Sequence, residues 1–359
     1  MSSTIRDIAR HTGLSIATVS LALRGAGRIS DETRQKVKTA AETLDYRAQP
    51  LLSKALSLAR QSKGDRYRET LAFLTEFSLD DPTLDPYPVY QDRLWTGASE
   101  RARSLGYKLE SFTLSGKPSE HRRFGRVLRA RGIRGLIVIP RLTSNQPRLV
   151  FDWQHFAAVE IGRTLWHPRS LHHVETSDYN KMIEALHLLK KAGYRRIGMA
   201  IEPTQNKHQR GTYYAAYLVS QLRQAAGQRL PIASATGDWN EQTFGAWVKK
   251  NRPDVLIVHN AQEIMSWLKN LGLSVPEDIS LFCVNAQQDE LSGLRRDYQG
   301  IGRSAVEMVS LLLESGDLGL KDNPRCWQVD EFWQKGGTLS RPLDDFLSPE
   351  GFLLQKYAL

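Results

Sequence analysis

The sequence predicts an all-α amino-terminal module joined to a two-lobed α/β domain that is built on parallel, doubly wound sheets. Three observations support this fold class. A chain of 359 residues is too long for one ordinary core. Apolar residues recur at helical spacing near the amino terminus, and beyond residue 69 short apolar runs alternate with amphipathic stretches. The composition, 41% apolar and 25% charged, is typical of a folded globular protein.

Composition excludes several classes of protein. No apolar run approaches the ~18 residues that a membrane helix needs. Arg6, Asp7 and Arg10 interrupt any signal-peptide core at the amino terminus. Cys283 and Cys326 are the two cysteines, and they are too few for a disulfide framework or a zinc ribbon. We therefore expect a cytoplasmic protein with reduced thiols and no membrane partner.

Half of the net charge of +10 lies in the first 60 residues, which hold ten Lys and Arg against five Asp and Glu. This sixth of the chain therefore carries as much net positive charge as all the remaining residues together. Such asymmetry is typical of a nucleic-acid-binding module on a near-neutral body. The alternative is a solvated helical surface that is rich in Lys and Arg.

Three short helices are predicted in this basic region. Thr4 can cap the first helix, which Gly13 ends, and Ser15 can cap the second after a turn of only four residues. Two helices across such a turn form a helix-turn-helix, whose second helix enters the major groove of DNA. Ser30 caps the third helix, which carries acidic residues in its first turn and closes at Tyr46.

The segments 4–9 (TIRDIA), 13–20 (GLSIATVS) and 29–34 (ISDETR) carry a specific resemblance. Over about 45 residues, in sequence and in spacing, this region resembles the headpiece of the LacI/GalR family of bacterial transcription regulators. The resemblance implies a homodimer that places two recognition helices on an inverted-repeat operator, with the protein located on the nucleoid.

The headpiece residues divide by chemistry into phosphate and base contacts. Hydroxyl groups of the predicted set bind phosphate oxygens, and Arg24 and Arg28 supply charge at the groove edge. Ile16 and Ala17 open the recognition helix and can meet thymine methyl groups but cannot hydrogen-bond, and Leu21 stands where many relatives carry Arg. For Val19, core packing is favoured over a DNA contact. The predicted DNA-binding residues are Thr4, Ser15, Ile16, Ala17, Thr18, Ser20, Leu21, Arg24, Arg28, Ser30, Thr33, Tyr46 and Leu56.

The connector after the headpiece departs from the family pattern. In the family, the equivalent hinge helix inserts a leucine into the minor groove and kinks the DNA. Counted from Tyr46, that position falls on Ala55, one residue before Leu56, and Ala48-Gln49 replaces a common Pro-Asn pair. Either the hinge starts one residue later and Leu56 is the wedge, which we favour, or this protein bends DNA less.

Beyond residue 69 the pattern predicts two α/β lobes, because more than 270 residues would oversize a single sheet. The region resembles the periplasmic-binding-protein-like effector domain of the same family. Strands are predicted at 69–75, 134–140, 156–161, 195–201, 254–259 and 279–284, and helices at 92–105, 121–131, 179–192, 213–226 and 303–315. The predicted domains are a headpiece (1–48), a hinge and linker (49–68), lobe 1 (about 69–191 and 302–330), lobe 2 (about 192–301 and 331–341) and a tail (342–359).

Ligands of such folds bind between the lobes, at the carboxyl ends of the strands. The resemblance assigns six residues to an effector pocket: Tyr90, Asp178, Arg210, Trp239, Asn240 and Asn285. An arginine fork, a carboxylate, two amides and aromatic rings suit a sugar or base face. As alternatives, the two aromatic residues can be ordinary core, Arg210 a surface ion-pair partner and Asp178 a helix cap.

Departures at the pocket indicate an unusual effector. Ala261 replaces an acidic residue that commonly follows Asn260, Asn285 stands in place of a carboxylate, and Tyr213 replaces a glycine. The pocket is therefore expected to be less acidic, and smaller, than in typical sugar sensors. A modified ligand or the absence of any small ligand are both open.

An enzyme is not expected. Gly-x-Ser-x-Gly, His-Glu-x-x-His and phosphate-binding-loop motifs are missing, and the nine histidines, including His172-His173, are scattered, so neither a metal site nor a cofactor is predicted. A free solute-binding protein would share the body but not the headpiece. The favoured function is a transcriptional regulator, a repressor, whose operator affinity responds to a sugar-like effector. A regulator that binds DNA without effector control is the alternative.

The tail lacks the leucine heptads of a tetramerising coiled coil. Phe346, Phe352 and Leu353 are expected to pack on a lobe instead. A homodimer is therefore favoured over a tetramer.

Overall fold

The computed structural model describes residues 5–23, 29–44, 46, 69–75, 88–114, 118–139, 148–222, 224–235 and 238–347. Within these ranges, no helix combines the length and the hydropathy that crossing a lipid bilayer requires.

The headpiece consists of three helices, α1 (Ile5–Thr12), α2 (Ile16–Leu23) and α3 (Asp31–Thr43). Apolar residues spaced three and four apart bring one face of each helix to a shared core. Its fully buried members are Ile8, Ala9, Val19, Val37 and Ala40. Val19 is 0% exposed, which confirms the interpretation of this residue as core.

The first lobe is a sheet of six parallel strands with helices on both faces. The strands are β1 (Thr70–Thr75), β2 (Lys108–Thr113), β3 (Gly135–Val138), β4 (Ala157–Ile161), β5 (His172–Thr176) and β10 (Cys326–Val329), in the order β10-β5-β4-β3-β1-β2. Helices α4 (Pro88–Ser104), α5 (Pro118–Ala130) and α11 (Tyr298–Ser315) cover it. Helices α4 and α11 approach closely: a Cβ at Gly302 would lie 2.2 Å from the Leu94 carbonyl oxygen.

The second lobe is a five-stranded sheet with one antiparallel edge strand. Its strands are β6 (Ile197–Ala200), β7 (Val255–Val258), β8 (Ser280–Cys283), β9 (Gly293–Arg296) and β11 (Glu331–Gln334), in the order β11-β9-β8-β7-β6. Only the β11–β9 pairing is antiparallel among the described strand pairs of this sheet. Its helices are α6 (Asp178–Lys191), α7 (Pro203–His208), α8 (Thr212–Gln221), α9 (Glu241–Asn251) and α10 (Ala261–Asn270).

The chain crosses between the two lobes at three described places: between β5 and α6, between β9 and α11, and between β10 and β11. Helix α6 buries Met182, Leu186 and Leu189 in the core of the second sheet, together with Ile197. The expected lobe boundary near residue 191 is therefore wrong. The first crossing comes about 15 residues earlier, because the apolar face of α6 packs on α8 rather than on β5.

All six predicted strands and five predicted helices have counterparts in the structure, with strand ends shifted by one or two residues. The carboxyl-terminal segment packs Phe346 against the core of the second lobe, as expected. Phe352 and Leu353 lie outside the described residues.

Candidate functional site

The turn between α1 and α2 is built by local backbone chemistry. Gly13 adopts a positive φ of 70°, which only glycine tolerates without strain, and ends the first helix. The Ser15 Oγ accepts the Thr18 N–H at 3.0 Å and lies 2.8 Å from Thr18 Oγ1, so Ser15 caps the second helix. The amino-terminal end of α2 is thereby fixed relative to α1, as a helix-turn-helix requires.

Helix α2 presents an apolar residue to solvent at its first position. The Ile16 side chain is 51% exposed, whereas Val19, one turn later, is fully buried. Thr18, Ser20 and Leu21 are half-buried on the flank of the helix. An exposed isoleucine at the start of a helix-turn-helix second helix has the position and chemistry to contact base edges.

Of the other predicted DNA-binding residues of the headpiece, the structure describes some and not others. Ser30 Oγ accepts the Thr33 N–H at 3.3 Å and caps α3, and Tyr46 packs, half-buried, against the headpiece core. The structure therefore keeps Ser30 and Thr33 near solvent at one helix end. Thr4, Arg24, Arg28, Leu56 and the side chain of Ala17 lie outside the described residues.

A cleft between the two lobes holds a cavity of about 910 Å³. It lies at the carboxyl ends of both sheets, as the fold predicts. Four of the six predicted effector residues line it: Tyr90, Asp178, Arg210 and Asn285. The first lobe contributes an apolar wall, and the second lobe contributes amide and charged groups; the apolar wall includes Leu94, Ile139, Ile161, Val174 and Ile301.

The structure does not bring Trp239 and Asn240 to this cavity, and their assignment is corrected. The Trp239 ring packs 5.3 Å from Trp267 and 6.1 Å from Phe244, in the core of the second lobe. Asn240 Oδ1 accepts the Thr243 N–H at 3.0 Å and caps α9. Neither residue is among those that line the cavity.

A buried ion cluster lies where the three crossings meet. Arg296, at the end of β9, donates to Asp178 Oδ1 at 2.6 Å, to Glu331 Oε1 at 2.9 Å and to the Tyr213 hydroxyl at 2.6 Å. We call these four residues the hinge cluster. Asp178 belongs to the first crossing, Arg296 to the second and Glu331 to the third. The cluster therefore ties together all three connections between the lobes.

The hinge cluster is almost dry. The side chains of Arg296, Asp178 and Glu331 are 10%, 11% and 1% exposed. Burial lowers the pKa of Arg296, but Asp178, Tyr213 and Glu331 outweigh it and raise that pKa well above its ordinary value. Burial raises the pKa of Glu331 to about 7. Asp178 is therefore held by a permanently charged partner and is not a free carboxylate for a ligand.

Tyr213 explains one departure from the family pattern. This residue of α8 stands where relatives carry a glycine; its ring is buried in the core of the second lobe, and its hydroxyl accepts from Arg296. The Gln209 amide lies between Asp178 Oδ2 (2.6 Å) and Arg296 Nη1 (3.3 Å) and faces the cavity. Sequence reasoning missed Arg296 and Gln209 because the short strand β9 and helix α7 give no strong periodic signal.

Side chains of two arginines bridge the lobes at the cleft. Arg210 Nη1 donates to the Arg163 carbonyl at 3.3 Å, and Arg93 of α4 donates to the Gln287 side chain of the second lobe. Arg210 itself takes a left-handed φ of 55°, followed by Gly211, between α7 and α8. This turn aims the Arg210 side chain across the cleft rather than along the surface.

An aromatic and amide wall completes the cavity. The Tyr90 and Tyr298 rings lie 5.6 Å apart, and the Tyr298 hydroxyl donates to Asn285 Oδ1 at 3.2 Å. Gln287 Nε2 donates to the same oxygen at 3.1 Å. With its oxygen engaged twice, Asn285 keeps an amide N–H₂ group as the donor for a bound molecule.

Glu160, on β4, is a buried carboxyl behind the cleft. Its Oε1 accepts the Leu165 N–H at 2.9 Å, which fixes the loop that carries Arg163. Burial raises the pKa of Glu160 to about 8, although the backbone N–H groups of Leu165 and Thr164 act in the opposite direction. The hydrogen bond therefore links this buried acid to the loop that carries Arg163, a residue of the cavity lining.

Comparisons with known proteins match both parts of the chain. The family model described as bacterial regulatory proteins, lacI family, matches residues 4–49, and that described as periplasmic binding protein-like domain matches residues 186–322. The HTH-type transcriptional repressor CytR of Escherichia coli K12 is 25% identical over 301 residues, which cover 78% of this chain and 79% of CytR. The maltose regulon regulatory protein MalI of Vibrio furnissii is 30% identical over 106 residues, 30% of this chain and 66% of MalI.

Solved structures share the fold. The lac repressor dimer bound to operator and the anti-inducer ONPF has a TM-score of 0.52 at 19% identity, over 94% of this chain and 99% of that chain. A putative regulator of the same family from Rhizobium etli has a TM-score of 0.56 at 17% identity, over 75% and 98% of the two chains.

A helix-turn-helix headpiece on a two-lobed α/β body defines a DNA-binding transcriptional regulator, not an enzyme. Residues 4–49 match the DNA-binding domain of the LacI family of bacterial regulatory proteins, and the chain is similar over most of its length to a repressor of that family.

Proposed function

We propose that this regulator is a homodimeric, cytoplasmic repressor whose operator affinity is set by a small polar molecule with one apolar face, a sugar or sugar derivative, bound in the cleft. The observation that carries the proposal is the cavity of about 910 Å³, which falls in the ~300–1,000 Å³ range of small-molecule sites. It joins an apolar and aromatic wall from one lobe to hydrogen-bonding groups from the other.

The lining suits an uncharged polar ligand, because its charged groups are of both signs: Arg163 and Arg210 stand beside Glu175 and Glu202. Asp178 is neutralised by Arg296, and Asn285 replaces a carboxylate with an amide donor. Tyr90 offers a ring for the apolar face of a sugar, and Asn260, Gln205 and the Asn285 amide offer hydrogen bonds to hydroxyl groups.

Structures of similar fold support the ligand class. The transcriptional regulator CelR is described as a complex with cellobiose, at a TM-score of 0.51 and 17% identity over 94% of this chain and 99% of CelR. For this chain, a sugar-like effector is our proposal from the cavity.

The proposed mechanism links the cleft to the headpieces. A ligand that contacts both lobes stabilises one degree of closure, and closure moves the segments that lead to the DNA-binding helices. In a homodimer, two recognition helices must reach half-sites about 34–36 Å apart, so a change in their separation changes operator affinity.

The test combines ligand screening with one cleft variant. Melting temperatures are measured with sugars, sugar phosphates and nucleosides, and operator binding is followed by fluorescence anisotropy. Arg210→Ala is expected to abolish the response of operator binding to a stabilising ligand while operator affinity without ligand stays unchanged. Arg129→Ala, an exposed arginine outside the cavity, is the control and should keep the response. Loss of operator binding in Arg210→Ala would contradict a role confined to the cleft.

One observation favours the second candidate, a repressor without effector control. The bridges from Arg210 to Arg163 and from Arg93 to Gln287 join the lobes through protein groups alone. If the protein binds its operator tightly and no compound of the three classes raises the melting temperature or changes operator affinity, effector-independent binding replaces the first proposal.

A further inference from the structure

Three chemically reactive side chains share one face of the first lobe, where β5 pairs with the edge strand β10. Cys326 lies directly opposite His173 in the parallel register, and Glu175 follows His173 by two residues on the same strand. Because side chains alternate along a strand, all three project from the same face. We call His173, Glu175 and Cys326 the β5–β10 triad.

The ligand atoms of the triad are close together. The imidazole nitrogen, the carboxylate oxygen and the Cys326 Sγ all lie within 4.8 Å of one another. The Cys326 thiol donates to Glu175 Oε1 at 3.4 Å. A tetrahedral zinc ion with bonds of ~2.0–2.3 Å needs its ligand atoms to be closer to one another than 4.8 Å. Small rotations of the Glu175 and Cys326 side chains would bring them to that separation.

The proton arrangement on His173 leaves one nitrogen free to bind a cation. His173 Nδ1 lies 3.4 Å from the Leu171 carbonyl oxygen, which can only accept, so the proton belongs on Nδ1. Nε2 then carries a lone pair. It is buried and finds no hydrogen-bond partner among the residues that the structure describes, although His173 is only 5% exposed. A buried side-chain nitrogen without a hydrogen-bond partner is unusual in a folded protein. A histidine whose Nδ1–H donates to a backbone carbonyl and whose Nε2 keeps its lone pair is the usual form of a metal ligand.

We propose that His173, Glu175 and Cys326 bind a divalent transition-metal ion of the Zn²⁺ type. Sulfur, imidazole and carboxylate donors together suit zinc or cobalt, whereas Mg²⁺ and Ca²⁺ take oxygen donors. Three protein ligands leave one position of a tetrahedral ion for water. The carboxylate and the thiolate formed on binding offset the positive charges of Arg163 and Arg210, which act on His173 from the cleft.

The position of the triad suggests what the ion does. Glu175 stands two residues before the first crossing at Ser177, and Cys326 stands four residues before Asp330 in the third crossing. An ion held by both strands fixes the first-lobe ends of two of the three connections. Glu175 and Gln328 also line the cleft, so the ion and the cavity share a wall. The metal site does not depend on the identity of the effector.

The test uses the full-length protein, reduced and freed of metal by chelation and dialysis. Titration with ZnCl₂ in a calorimeter is expected to show one ion bound per chain. Titration with CoCl₂ is expected to produce the absorption of a thiolate-to-cobalt charge transfer and of a tetrahedral ion. The absence of Zn²⁺ binding, or Co²⁺ binding without the thiolate band, would overturn the proposal.

Matched variants assign the ligands. Cys326→Ser and Glu175→Gln, each on the open side of the triad, are expected to weaken Zn²⁺ binding at least about tenfold, and Cys326→Ser to remove the charge-transfer band. His173→Asn should do the same where circular dichroism shows that it folds. Cys283→Ala and His187→Asn, which alter a cysteine and a histidine of the second lobe, should bind as the unaltered chain does. Unchanged affinity in Cys326→Ser, or loss of the band in Cys283→Ala, would refute the assignment.

Discussion

At the scale of single residues, the headpiece separates two roles within one turn of helix. Ile16 is half-exposed at the start of α2, and Val19 is fully buried against Ile8. Both are β-branched and similar in size, so sequence pattern alone distinguishes them only by helical phase. The exposed residue is available to DNA, and the buried one holds the helix in place.

This separation predicts opposite effects of two similar substitutions. Ile16→Ala should leave the headpiece melting temperature unchanged and weaken operator binding about tenfold, since two to three methyl or methylene groups leave the interface at ~0.8 kcal/mol each. Val19→Ala should lower the free energy of unfolding by ~1–3 kcal/mol through a core cavity. Circular dichroism melts and fluorescence anisotropy with operator DNA measure the two quantities. Equal losses of stability in both variants would contradict the assignment.

Glu160 predicts a pH dependence of stability. Its carboxyl has a pKa of about 8 in the folded protein, above its ordinary value of 4.5, so the folded state binds one more proton between these limits. The free energy of unfolding should therefore fall as pH rises from about 5 to about 8, by a few kcal/mol.

Glu160→Gln tests this dependence, because the amide keeps an oxygen for the Leu165 N–H and cannot ionise. Urea unfolding at several pH values should show that this variant loses most of the slope between pH 5 and pH 8. Glu100→Gln, an exposed acid of α4, is the control and should keep the slope of the unaltered chain. An equal slope in Glu160→Gln would contradict the buried-acid explanation.

At the scale of elements, three short connections carry one buried charge cluster. Removing Arg296 would leave Asp178 and Glu331 buried without a partner, whereas the neighbouring Arg295 is 40% exposed and pairs with exposed groups. Arg296→Met should therefore lower the free energy of unfolding by ~3–5 kcal/mol. Arg295→Met should change it by less than ~1 kcal/mol. Urea denaturation compares the two variants, and similar stabilities would show that the cluster is not structural.

The strong periodic elements could be predicted from the sequence, and the elements that build the cleft could not. Buried strands such as 197–200 and 255–258 stand out as apolar runs, but β9 reads GLRR and β10 reads CWQV, which resemble loops. Their pairing is decided by residues far away in the chain. The family resemblance, not the periodic pattern, assigned Tyr90, Asp178, Arg210 and Asn285 to the cavity. Arg296 and the β5–β10 triad could be recognised only from the three-dimensional structure, because their partners come from distant strands.

The family resemblance also had a limit that local chemistry explains. Trp239 and Asn240 follow Asp238 where relatives line the cleft, but here Asn240 is committed to the capping box of α9. The cap draws Trp239 into the aromatic core with Trp267. A pocket role inferred from relatives is therefore wrong where the residue makes a local helix cap or core contact instead.

At the scale of the whole molecule, the two lobes are held by the hinge cluster at one side of the cleft and by hydrogen bonds across it, which include those of Arg93, Arg210 and Tyr298. Arg93 is half-buried and Arg210 is exposed, and neither belongs to the hydrophobic core of a lobe. Their loss should open the lobes without unfolding them.

The double variant Arg93→Ala/Arg210→Ala should have a larger radius of gyration in small-angle X-ray scattering than the unaltered chain, at an unchanged melting temperature. Arg129→Ala again serves as the matched control. Scattering curves that coincide for all three proteins would show that these two hydrogen bonds do not hold the lobes together.

The hinge cluster constrains which substitutions this protein can accept during evolution. Asp178, Arg296 and Glu331 are separated by more than 30 residues at the least, yet Arg296 cannot be replaced alone without leaving two buried acids without their cationic partner. Among regulators descended from a common ancestor, these three positions are expected to be retained or exchanged as a set. A lineage that loses the arginine should also have lost both acids, with apolar side chains of similar volume in their place.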